Sequence, residues 1–161
     1  MKTYITYGQG NKFIPELLPD KSYIRNPKNS INKPNNCWWG SPIDAEYGWK
    51  QWCESNEYDE ELVKDDADRI YWTLSEDAKV LEINTLDDLI KVPYLEKDKE
   101  DSYAYSPSII DFEKICRDYD AVELTNSCIG HYFINDKEIA FNAWDCESIV
   151  VLNKDKIIPI T

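Results

Sequence analysis

The apolar positions of the chain fall mostly into short runs broken by polar punctuation, a pattern that predicts strands more than helices. Residues 3–8, Thr-Tyr-Ile-Thr-Tyr-Gly, are β-branched and aromatic and read as a first strand. Gly8 and Gly10 stop it, and a glycine there lets a backbone or ligand approach closely. Residues 13–18 read as a helical turn closed by Pro19. Residues 26–36, with two prolines and five asparagines, form a polar loop of the length used for lids and binding loops. In residues 37–42, Cys-Trp-Trp-Gly-Ser-Pro, the paired tryptophans fit a second strand that Gly40-Ser41-Pro42 ends, and a helix over 43–56 follows. Asp44 is its expected N-cap, and Ala45, Trp49, Trp52 and Cys53 share one face.

An acidic, solvated segment follows at 57–68, with room for one helical turn. Strands over 69–74 and 79–83, joined by Ser75-Glu76-Asp77, suggest a hairpin. Asn84 is the expected cap of a short helix over 85–91. Residues 97–102 form a charged loop. Ser108 is the expected cap of a helix to Tyr119, with Ile109, Phe112, Cys116 and Tyr119 as its apolar stripe. Strands over 120–125, 149–152 and 157–160 complete the pattern, with an irregular stretch or hairpin at 126–142. The whole, residues 1–161, reads as one α+β domain: a split or sandwiched, mostly antiparallel sheet flanked by short helices.

The stretch over 141–152 carries the first hint of chemistry. Its closing run, Ile-Val-Val-Leu, reads as a strand buried on both faces. Two carboxylates, Asp145 and Glu147, stand at its entrance, and strand alternation puts them on one face with Ile149 and Val151. Buried unpaired charge is costly, so they mark either a solvated strand end or the mouth of a cleft. Trp38, Trp39, Trp49 and Trp52 lie within fifteen residues, as an aromatic core or as a platform for a flat ring.

Charge narrows the partners. A net charge of −13 opposes direct contact with nucleic-acid phosphates; it permits a basic protein partner or mimicry of nucleic acid, or serves solubility alone. Five cysteines without a C-x-x-C point to free thiols in a reducing cytoplasm. Cys128 and His131 have metal-like spacing, but two ligands make no zinc site, and no metal is expected. No run is long enough to span a membrane, and no basic-then-apolar leader opens the chain.

Three features stand in one order: a strand ending in Tyr7-Gly8, an aromatic strand Trp38-Trp39-Gly40-Ser41 running into an aromatic-rich helix, and a late apolar strand preceded by Glu147. Together they resemble the ADP-ribosyltransferase fold, and its His-Tyr-Glu branch best. Tyr7 stands where that branch has histidine, and Trp38 where it has tyrosine. The resemblance implies NAD as co-substrate. It implies that Tyr7 and Gly8 grip the nicotinamide side, that Trp38 and Ser41 belong to the second motif, and that Tyr47 or Trp49 stacks on the nicotinamide. Glu147 would be the catalytic glutamate, with Asp145 orienting or deprotonating the acceptor.

The expected function is mono-ADP-ribosyl transfer from NAD to a macromolecule, most simply a basic protein. Compact transferases of this fold occur as bacterial toxins and as phage proteins that disarm host defences, including an anti-CRISPR, so an effector role against a host protein is expected. Two alternatives stand beside it. One is a catalytically silent acidic protein that blocks a basic partner. The other is an NAD glycohydrolase with water as acceptor.

Overall fold

A computed structural model describes residues 2–8, 20–27, 32–34, 37–65, 67–95, 108–135, 137–141 and 144–160. The expected helical turn at 13–18, the charged loop at 97–102 and Gly10 lie outside the described residues. The architecture is mixed α+β, with a large, mostly antiparallel sheet and few helices.

Strand β1 (Thr3–Tyr7) pairs with β2 (Trp38–Pro42) on one side and β3 (Arg69–Leu74) on the other. Next come β4 (Val80–Ile83), β5 (Ala121–Leu124), the hairpin of β6 (His131–Ile134) and β7 (Lys137–Ala140), β8 (Ser148–Val151) and β9 (Ile157–Ile160). Seven of these form one sheet in the order β4-β5-β8-β2-β1-β3-β9. Only the β4–β5 pair is parallel among the described pairings. Three short helices flank the sheet: α1 (Trp49–Ser55), α2 (Leu86–Lys91) and α3 (Phe112–Asp118). No helix among the described residues is long and apolar enough to cross a membrane.

Alternation along β5 and β8 feeds two cores. Val122, Leu124 and Val150 face a core shared with Leu89 of α2 and Phe112 and Ile115 of α3. Ala121, Ile149 and Val151 face a second core closed by Tyr4, Ile70, Trp72 and Ile157. All four residues of β8 are buried, as its continuous apolar run requires. The second core is clamped across the sheet. The Tyr4 hydroxyl donates to Glu123 Oε2 at 3.0 Å, and the Lys2 ammonium pairs with the same buried carboxylate.

Four expectations fail, each for a local reason. The helix over 43–56 shortens to α1, because Gly48 is extended there and Ser41 Oγ accepts the Trp49 N–H across the turn. Asp44 is therefore not its N-cap. The hairpin of 69–74 with 79–83 does not form: β3 is already flanked by β1 and β9, and β4 pairs in parallel with β5. Thr85, not Asn84, caps α2 through a reciprocal bond with Asp88. Ser108 does not cap α3. Ser108 and Ile110 form bridges to Ile139 and Tyr94, and the Asp111 side chain caps the helix instead. Phe112 and Ile115 are its buried pair, and Cys116 and Tyr119 of the expected stripe pack partly buried against the same core.

Asp120 fixes the entry to β5. Burial alone would raise the pKa of its carboxyl. The Lys79 N–H, the Asn153 amide and the Lys21 ammonium outweigh that and hold it below the ordinary carboxylate range. A depressed folded-state pKa stabilises the fold above the unfolded pKa of about 4 and loses that stabilisation as pH falls through the folded value. Asp120→Asn is expected to cost about 1–3 kcal/mol at pH 7, and the gap to wild type should narrow towards pH 3. Urea melts at the two pH values check this; a gap independent of pH would refute it.

Candidate functional site

The site begins with a strand that changes partners. Trp38, Trp39 and Gly40 of β2 pair with β8, whereas Ser41 and Pro42 pair with Ile5 and Tyr4 of β1. Beyond Ile5 the two strands splay apart. A side chain bridges the gap: Thr6 Oγ1 donates to the Trp39 carbonyl at 2.6 Å and accepts the indole N–H of buried Trp72 at 3.0 Å. Gly40 is what lets the strands close over this point. A Cβ there would lie 2.7 Å from Trp72 Cζ2 and 3.0 Å from the Ile5 carbonyl.

At the splay lies a cleft of about 480 Å³, a size suited to a small-molecule ligand. It is lined by Ile5 and Tyr7 of β1, Trp39 and Ser41 of β2 and Ser148 of β8. Trp49 of α1, Leu62, Trp144 and Lys33 also line it. Lys33 is the one charged group among the described lining residues. Its ammonium lies 3.2 Å from Asp145 Oδ2 and 5.7 Å from the centre of the Trp39 ring.

The thiols near the cleft are held protonated. Burial pushes Cys37 up to about 12 and Cys53 up to about 11. Burial also raises Cys146, against hydrogen bonds from Ser148 and Ser41 that lower it. None offers a thiolate at neutral pH. Cys128 is buried in a turn, while His131 bonds Glu138 on the β6–β7 hairpin.

Of the residues marked out by sequence, Tyr7, Trp38, Ser41 and Trp49 line this one cleft. Trp38 is also part of the second core. Gly8 ends β1 with φ +74, packed under Leu62. The resemblance has Gly8 grip the nicotinamide side, but its N–H donates to the Asp68 carbonyl at 3.0 Å.

The two carboxylates are not on a shared strand face. Asp145 has φ +64 and β8 starts only at Ser148, so alternation does not reach them. Asp145 turns to Lys33. Glu147 is joined to Tyr47 twice: its N–H donates to the Tyr47 carbonyl at 2.9 Å, and its Oε1 accepts the Tyr47 N–H at 3.2 Å. Glu147, Asp145 and Tyr47 thus stand outside the lining, with Glu147 next in sequence to lining Ser148.

Of the other lining residues, Trp39 belongs to the tryptophan group expected as a core or a platform, and Lys33 to the loop over 26–36 expected as a lid or binding loop, though the sequence singles out neither. No local pattern marks Trp144 as a lining residue.

No protein-family model matches the chain, and no curated protein or solved structure matches it. The site therefore stands on its own geometry.

Gly40→Ala is expected to destabilise the protein by about 1–3 kcal/mol, because the added methyl meets Trp72 and backbone. Thermal melts should fall by roughly 2–4 °C per kcal/mol. A variant as stable as wild type would show that the β1–β2 crossing is not close-packed at this point.

Proposed function

We propose that the chain is a mono-ADP-ribosyltransferase that uses NAD to modify a macromolecular target, with β1, β2 and β8 as its working strands. One observation carries the reading. The three stretches behind the resemblance, far apart in sequence, lie on neighbouring strands in the order β8-β2-β1, and an aromatic cleft opens where two of them part.

The cleft suits one end of a dinucleotide. Trp49 and Tyr7 line it, and their rings suit a flat, cationic nicotinamide, which π systems attract. Lys33 is a cation within reach of an anionic group. When bound, NAD supplies the C–N bond between nicotinamide and ribose, whose cleavage develops positive charge on the sugar. Glu147 answers that charge once its carboxylate swings from the Tyr47 N–H towards Ser148 and the cleft. Asp145, released from Lys33, takes the proton of the attacking acceptor. By analogy with compact transferases of that fold, the target is a host protein and the chain an effector.

A second reading rests on a specific observation: the Glu147 carboxylate is already satisfied by Tyr47 and stands outside the cleft lining. In that reading the chain is a silent acidic protein that binds a basic partner without NAD.

Calorimetric titration separates the two. Wild type should bind NAD, and Trp49→Ala should bind at least about tenfold more weakly, the worth of one stacked ring. Glu147→Gln should keep NAD affinity within about threefold yet lose NAD-dependent labelling of a target. Unchanged labelling removes Glu147 from the mechanism. No binding at millimolar NAD removes the transferase reading and leaves the silent one.

A further inference from the structure

Beside the cleft, α1 and the turn after it build an aromatic stack of which the chemistry above uses only Trp49. Trp49 and Trp52, three residues apart on one helix face, lie parallel with ring centres 5.0 Å apart. Tyr58 returns edge-on to both, at 6.0 and 5.2 Å, held by its N–H to the Cys53 carbonyl. Tyr58 is 52% exposed and Trp52 half-buried, so the outer side of this stack faces solvent.

The same segment concentrates charge. Residues 54–68 hold eight carboxylates and one lysine. Some are paired locally: Glu54 and Asp65 with Lys50, and Glu61 with Lys64. Glu57, Asp59 and Glu60, which bracket Tyr58, are exposed and make no ion pair among the described residues. This segment also borders the cleft, since Leu62 lines it.

We infer that this face docks a basic, arginine-bearing polypeptide segment. Guanidinium groups stack on the outer faces of Trp52 and Tyr58 and pair with Glu57, Asp59 and Glu60. Arginine fits better than lysine, because its planar and weakly hydrated head both stacks and forks to carboxylates. A second copy of this chain is disfavoured by its own charge of −13, and nucleic acid by the same sign. The inference rests on the reading that the partner is a protein, but on no nucleotide chemistry. A segment docked here would run past Leu62 and present a neighbouring side chain to the cleft mouth.

The test is fluorescence anisotropy with labelled deca-arginine and deca-lysine peptides, without NAD. Deca-arginine should bind more tightly. The double variant Glu57→Gln/Glu60→Gln should weaken it roughly fivefold, whereas Glu76→Gln/Glu82→Gln, the same charge change on another part of the surface, should cost less than about twofold. Tyr58→Ala should reduce the preference for arginine over lysine by at least about half, with the fold checked by thermal melt. Equal losses for the two double variants would mean diffuse attraction to an acidic chain and overturn the inference. So would an intact arginine preference in Tyr58→Ala, or a dimer of the chain that Tyr58→Ala abolishes. Because no nucleotide is present, failure here leaves the transferase reading standing, and failure of NAD to bind leaves this face standing.

Discussion

Much of the structure hangs on one buried amide. Asn32 has no solvent exposure and a left-handed backbone, φ 53, which asparagine tolerates better than most residues. Its Nδ2 donates to the carbonyls of Ser108 and Ala140, and its Oδ1 accepts the Ile110 N–H. Its own carbonyl accepts the indole N–H of Trp144. Four bonds from one residue thus tie three distant segments to a short piece of loop. Each of those groups is buried, and leaving any one unpaired would cost on the order of 1–3 kcal/mol. The next residue is Lys33, so the same anchor sets the cation of the cleft and its approach to Asp145 and Trp39.

The cleft is the other side of a compromise in the sheet. β2 does not pair along its whole length with both neighbours: beyond Ile5, β1 stays with β3 through Thr6 and Tyr7, while β2 pairs with β8 through Trp38, Trp39 and Gly40. The lost ladder bonds are partly replaced by Thr6, which supplies a hydroxyl bond to the Trp39 carbonyl. What opens is a gap bordered by strand backbones and flat rings. Its walls belong to strands and to an anchored loop, which hold side chains more firmly than a free loop would.

Strand content was legible because strands advertise themselves locally. The limits of β3 and β9 follow directly from their β-branched and aromatic runs, and β8 from its unbroken apolar stretch. Helix starts were not, because distant or competing partners set them. Ser41 reaches across to cap α1, and Asn32 pulls Ile110 into a bridge where a helix was expected. Strand neighbours were misread at 75–77, where a short polar turn suggested a hairpin although both edges of β3 are taken. The candidate site was half legible for the same reason. Tyr7, Trp38, Ser41 and Trp49 could be gathered from their order in the chain, but a positive φ at Asp145 is a tertiary outcome that no residue pattern announces.

The outermost strand β9 ends the described sheet with Ile157-Ile158-Pro159-Ile160, and Ile158 and Ile160 are both more than 40% exposed. An apolar border strand of that kind is a template on which other chains can add. Pro159 interrupts it: proline has no amide hydrogen, so the rim lacks a donor in the middle of its run. At the opposite border, β4 carries exposed Glu82. Together with the mutual repulsion of a strongly anionic surface, these two features oppose the addition of further strands at either border of the described sheet.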